Sequence, residues 1–145
     1  MSTNQPSEAL ISIKPRHAEQ IFLGNKLIEL RRKTIKLNSG TRLWIYSTVP
    51  EAKIKGAAII DRIILDRPYN IWRKFGTSAC ISKDEFDRYF NKYRLAIAIK
   101  FQNVIPLIPG LTLAELRRQI PDFHPPQHFL KLQKTHPLLQ ILPRS

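Results

Sequence analysis

Prolines and glycines cut this chain into short pieces. Eleven prolines are spread over 145 residues. A proline lacks a backbone donor and has a fixed φ, so it ends helices and is excluded from central strands. What remains between the breaks is a series of short strands and helices. Ala9 to Lys14 alternates as a strand and Pro15 ends it. Arg16 to Leu23 reads as a short helix, with Ala18, Ile21 and Phe22 on one face and Gly24 in the C-cap position. Leu27 to Lys33 is a second strand. Asn38-Ser39-Gly40 is a turn, and Arg42 to Thr48 is a third strand. The short polar connection favours antiparallel pairing of strands two and three. Ile54 to Leu65 is a long apolar run that Gly56 allows to bend or bulge.

The middle of the chain is helical. Ile71, Trp72 and Phe75 share a face. Ser82 and Glu85 have capping-box spacing, followed by the stripe Phe86, Tyr89, Phe90, Tyr93, which reads as core packing. Leu95 to Val104 is a further strand, punctuated by Pro106, Pro109 and Gly110. Thr112 and Glu115 make a second capping box. Gln127 to Gln133 is expected to be a short closing helix. Residues 1–8 read as a flexible leader, 9–132 as one domain, and 133–145 as a C-terminal tail or edge segment. No glycine-rich strand-to-helix fingerprint is present, which argues against a Rossmann or P-loop site. The pattern is α+β: a small, mostly antiparallel β-barrel with peripheral short helices.

Composition narrows the classes further. Hydrophobic residues are 43% and charged residues 24%, which excludes a disordered chain, a collagen and a coiled coil. A single cysteine, Cys80, excludes an internal disulfide framework and a cysteine-rich zinc site. His124, His128 and His136 are interrupted by Pro125-Pro126, so no shared helical face is available to hold a metal. No metal or cofactor is expected. No apolar run approaches the ~18 residues of a membrane span, and the polar N-terminus lacks the build of a signal peptide. The expectation is a soluble, cytoplasmic protein with no membrane partner.

The net charge is +13, and basic residues exceed acidic ones in both halves of the chain. A domain this cationic attracts polyanions, because each Lys or Arg that neutralises a phosphate releases counterions. The densest stretch is Ser12 to Lys36, with seven basic residues, His17, and only Glu19 and Glu29 as acids. Strand alternation places Glu29, Arg31 and Lys33 on one face and Ile28, Leu30 and Arg32 on the other. Ile28 and Leu30 are expected in the barrel core, leaving Glu29 and Arg31 to a groove or to solvent. A carboxylate two residues from a guanidinium on one face pairs with it. Lys26 reaches the same groove only from the turn before the strand, which Gly24-Asn25 permits.

These residues resemble the ASCH domain of the PUA-like superfamily. The likeness lies in Leu10 to Pro15, the helix around His17-Ala18, and Gly24-Asn25-Lys26-Leu27-Ile28-Glu29-Leu30-Arg31, which fits the signature Gly-x-Lys-x-x-Glu-x-Arg. The strand from Thr41 to Thr48 and the Pro125-Pro126-Gln127 element extend it, so that it covers roughly residues 9–132. The resemblance implies a PUA-like barrel of five or six strands with a cleft lined by the signature residues, and RNA or a modified nucleobase as ligand. Some small members hydrolyse N4-acylated cytidines with a Lys, a Thr and a Glu, and some are reported as ribonucleases. By position the Lys is Lys26, whereas the Thr falls on Glu29, a different kind of group.

The leading expectation is a nucleic-acid-binding module for RNA or another single-stranded nucleic acid. Lys14, Arg16, Lys26, Arg31 and Arg32 are candidates for phosphates, and Glu29 for a base edge. His17, Ser47 and Thr48 are candidate polar contacts, and Trp44 and Tyr46, on one strand face, are candidates for base stacking. Gln127 is placed near the cleft. Two alternatives stand beside it. One is a hydrolase acting on a modified nucleoside, or a ribonuclease, with Lys26 and Glu29 as the acid–base pair. The other is an adaptor whose basic face meets an acidic protein.

Overall fold

The computed structural model describes residues 7–143. Of the expected leader, residues 1–6 lie outside the described residues, and Glu8 already belongs to a strand. The strands are β1 (Glu8–Ile13), β2 (Ile28–Arg31), β3 (Arg42–Ser47), β4 (Lys53–Asp66), β5 (Ala96–Thr112) and β6 (Phe129–Leu132). The helices are α1 (Pro15–Phe22), α2 (Pro68–Phe75), α3 (Lys83–Tyr89), α4 (Leu113–Gln119) and α5 (Leu138–Ile141). The strands form one sheet in the order β2-β5-β4-β3-β1-β6, with β1 and β3 parallel and the other pairs antiparallel. It curls into a half-barrel with short helices around it, an α+β fold.

Strand alternation sorts the apolar residues into three layers. On the inner face Ile11, Leu43, Ile45, Ile60 and Ile99 pack with Ala18 and Ile21 of α1, so that α1 stoppers the curl. On the outer face Trp44, Tyr46 and Ile54 meet Leu116 of α4 and Leu138 of α5. Also outside, Ile28, Leu30 and Ala98 meet Ile71, Phe86 and Phe90 of the α2–α3 region. Among the described residues no helix is long and apolar enough to cross a membrane.

The bend expected at Gly56 is present. Its φ is +148°, the β3–β4 and β4–β5 registers slip beside it, and a Cβ there would sit 2.3 Å from the Ile105 carbonyl oxygen. Four expectations are corrected. First, β2 pairs with β5 and not with β3, because the connection between them buries Ile35 and Leu37 in the inner cluster and returns on a different part of the sheet. Second, β5 runs through Pro106 and Pro109 to Thr112; its partner β4 slips register there and absorbs the irregular backbone. Third, the segment expected as a closing helix is β6, which pairs with β1 from Phe129 to Leu132. Fourth, Ile28 and Leu30 point outward beneath α2 and α3 instead of into the barrel. Both faces of β2 are covered, so hydrophobicity alone did not choose the inner one.

The C-terminal segment also does more than edge the sheet. Leu138 is fully buried in the outer cluster and Leu142 nearly so. Leu138→Ala is therefore expected to cost about 2–5 kcal/mol in chemical denaturation, whereas a tail residue would cost nearly nothing.

Candidate functional site: a cationic cavity in the seam of the half-barrel

Residue for residue, β2 places Glu29 opposite Ile99 of β5 and Arg31 opposite Ile97. Ile99 belongs to the inner cluster, so Glu29 and Arg31 point inward. They do so at the sheet's open edge, since β2 and β6 are the two outer strands. Arg31 bridges that opening. Its Nε and Nη2 donate to Glu29 Oε2 at 2.9 and 2.7 Å. Nη2 also donates to the Ser12 carbonyl of β1 at 2.8 Å. Pairing of β1 with β6 ends at Ile11, one residue earlier, which leaves that carbonyl for the guanidinium. Nη1 donates to His128 Nδ1 at 3.2 Å. A guanidinium only donates, so this ring nitrogen carries no proton. Ser12 Oγ donates to the Pro126 carbonyl at 2.6 Å and fixes the proline segment across the same seam.

Lys26 enters from the turn after α1. Gly24 takes a positive φ of +86°, and the Asn25 and Lys26 amides both donate to the Gln20 carbonyl. The turn directs the lysine inward, where it is 2% exposed. Its Nζ donates to the Ala79 carbonyl at 2.5 Å and lies 3.9 Å from Glu29 Oε1. Burial pushes its ammonium below the usual lysine range, and the nearby Glu29 carboxylate only partly opposes that. Glu29 thus stands between two cationic side chains, and its own side chain is 7% exposed.

The void above these groups has a volume of about 370 Å³. Lys14, Arg16, His17, Lys26, Glu29, Arg31 and Thr48 line it, and so do Ser12, Leu30, Ile81, Glu85, Tyr89 and Gln127. Four candidates stand elsewhere. Trp44 and Tyr46 do share a strand face, but it is the outer one, and both are 2% exposed beneath α4 and α5. Trp44 Nε1 donates to Glu8 Oε1 at 2.8 Å. Neither ring is open to a base from the cavity. Ser47 is fully buried and donates to Glu51 Oε1 at 2.6 Å. Arg32 alternates away from Arg31, and its guanidinium lies over Tyr89 and Tyr93.

Two cavity residues carried other readings in the sequence. Glu85 has capping-box spacing, and Ser82 Oγ does accept its amide at 3.1 Å. Its carboxylate is drawn away instead, paired with both terminal nitrogens of Arg16 and 3.9 Å from His17 Nε2. In the second box the Glu115 carboxylate returns to the Thr112 amide as the spacing expects. Nothing local distinguishes the two boxes; Arg16, sixty-nine positions away in sequence, does. The Arg16 hydrogen bonds hold the Glu85 carboxyl below the usual range. Tyr89, read as core stripe, donates to the Leu30 carbonyl at 3.3 Å and forms part of the cavity wall. His17 is pushed below the ordinary histidine value, first by burial and then by the Lys26 charge. Among the described residues no group of three or more His, Cys, Asp or Glu is placed to hold a metal.

A half-open β-sheet stoppered by one helix, with a cavity in its seam lined by Lys14, Arg16, Lys26 and Arg31, defines the structural class. A family model described as a domain of unknown function, DUF365, matches residues 10–114. The chain is 31% identical over 136 residues to an ASCH domain-containing ribonuclease of Zymomonas mobilis, spanning 92% of this chain and 91% of that protein. The crystal structure of ASCH from Zymomonas mobilis matches with a TM-score of 0.84 at 29% identity, over 92% of this chain and 94% of that one. A hypothetical protein from Leishmania major shares the fold, with a TM-score of 0.58 at 11% identity over 97% and 95% of the two chains. The chain belongs to the ASCH domain family.

Two outcomes follow from this geometry. Arg31→Met leaves the buried Glu29 carboxylate with the Lys26 ammonium 3.9 Å away and no hydrogen-bonded guanidinium, so unfolding free energy should drop by about 3–5 kcal/mol. Combining it with Glu29→Gln should recover part of that loss in a double-mutant cycle. The second outcome concerns pH. His17 and His128 both resist protonation in the folded state, chiefly through burial. Below their ordinary value of 6.5 the unfolded chain binds more protons than the folded one, so stability falls as pH drops through that window. The melting temperature should decline from about pH 7 to about pH 5.5, and less so in a His17→Gln/His128→Gln variant.

Proposed function

We propose that this ASCH domain binds single-stranded RNA and takes one unstacked nucleotide into the seam cavity. The observation that carries the reading is the convergence of Lys26, Glu29, Arg31 and His17 on a single void of about 370 Å³. Bases splayed from a single strand are recognised on their hydrogen-bonding edges, and their phosphates by Lys and Arg. Lys14 and Arg16 stand at the strand-to-helix corner beside Pro15, where a phosphate would enter. Glu29 accepts from an exocyclic amino group. Arg31, already held by Glu29 and Ser12, offers a preorganised positive charge. The relative named as a ribonuclease, similar along nearly its whole length, supports RNA as the ligand.

A second reading, hydrolysis of the bound nucleotide or RNA, is favoured by one specific feature. Burial and the Lys26 charge hold His17 below the ordinary histidine value, toward the neutral form a general base needs. The Glu85 carboxylate, 3.9 Å from His17 Nε2, favours by its charge the imidazolium that forms when the ring takes a proton.

The test is a salt titration of single-stranded RNA binding, with denaturing gels run on the same mixtures. If about four phosphates are engaged, affinity should fall roughly fiftyfold for a fourfold rise in salt. Lys14→Ala and Arg16→Ala should each flatten the log–log slope by about 0.7. An affinity insensitive to salt rules out the binding reading. Shortened RNA that disappears with His17→Gln assigns the hydrolytic reading, and tight binding without product assigns the binding module alone.

A further inference from the structure

Arg32 directly follows the last residue of β2, but alternation turns it away from the cavity. Its guanidinium carbon lies 4.6 Å from the Tyr89 ring centroid and 5.1 Å from that of Tyr93. Nη1 donates to the Tyr89 carbonyl at 3.4 Å, which anchors the group. Tyr89 therefore belongs to two surfaces at once: it is part of the cavity wall and it supports Arg32. Tyr93, in the turn between α3 and β5, is 45% exposed, and Arg32 is exposed as well. Arg32 and the two rings thus form one cluster of planar groups, which reaches solvent at Arg32 and Tyr93.

The surroundings are cationic. Lys33, Arg88, Lys92 and Arg94 are all exposed. Among the described residues neither they nor Arg32 make a salt bridge. Exposed planar groups with exposed cations next to them in the chain can stack a base and hold its phosphates. An acidic peptide would use the charges and leave the flat faces idle. We propose that Arg32 and Tyr93 form a stacking shelf for the nucleotide adjoining the one in the cavity. The protein then engages at least two consecutive nucleotides, and Tyr89 is the partition between their sites. This inference rests on the RNA reading of the cavity.

The test measures three probes on the intact protein by calorimetry or anisotropy: a nucleoside monophosphate, a four-residue single-stranded RNA, and an abasic oligonucleotide of the same length. The variants are Tyr93→Leu and Arg32→Lys, the second keeping charge while losing the plane. Each should weaken binding of the RNA roughly five- to hundredfold. Binding of the monophosphate and of the abasic strand should not change. Equal RNA affinity in variants and wild type overturns the shelf while leaving the cavity reading intact. An equal loss for the abasic strand makes the surface a charge contact only and also overturns it. Failure of the wild type to bind any of the probes overturns both readings. Displacement of the RNA by a glutamate-rich peptide, with the variants unaffected, assigns the surface to an acidic protein partner instead.

Discussion

A sheet whose two outer strands do not meet must close its seam some other way, and here Arg31 does it. One guanidinium binds the Glu29 carboxylate on its own strand, the Ser12 carbonyl on β1 and the His128 ring ahead of β6. Hydrogen bonds between backbones would have filled this gap with a strand. A side-chain closure leaves room beside it, and the cavity occupies that room. The cost is a buried ion pair, which by itself adds little stability but is expensive to break. The seam is thus the place where charged groups are held in fixed positions.

The second charged group placed by the fold is Lys26. An ammonium in a site 2% exposed survives only with partners, and it has the Ala79 carbonyl and the Glu29 carboxylate. The α1 turn and the backbone around Ala79 therefore act together: one delivers the lysine, the other accepts its hydrogen bond. Around this floor the Arg16–Glu85 pair ties α1 to α3. The cavity wall is built from elements that adjoin only in the folded state, since β1, α1, β2 and α3 each contribute a charged or polar residue.

Much of the local structure was legible because short-range rules decide it. Pro15 ends β1, Gly24 closes α1, Gly56 bends β4, and Thr112 with Glu115 caps α4, each by the backbone chemistry of one or two residues. The Lys26, Glu29 and Arg31 cluster was legible for the same reason: a turn and a strand of period two fix which side chains share a face. Pairing of strands was not legible. The connection after β2 is polar enough to read as a hairpin, yet Ile35 and Leu37 bury themselves and carry the chain elsewhere. Phe129 to Leu132 chooses a strand because β1 has a free edge to pair with, which is a property of distant residues.

What the amino-acid order determined alone is therefore the inventory: a basic domain of short elements with one lysine, one glutamate and one arginine at fixed spacing on a turn and strand. Tertiary structure decided which way each face looks. It covered both sides of β2, so the polar face turned inward and the apolar face outward, the reverse of what hydrophobicity predicts for a strand with one wet side. It also buried Trp44 and Tyr46 under α4 and α5, and drew Glu85 from a helix cap to Arg16. The reason is common to all three. A side chain's face is set by its own strand or helix, but what covers that face comes from residues tens of positions away, and no local rule encodes them.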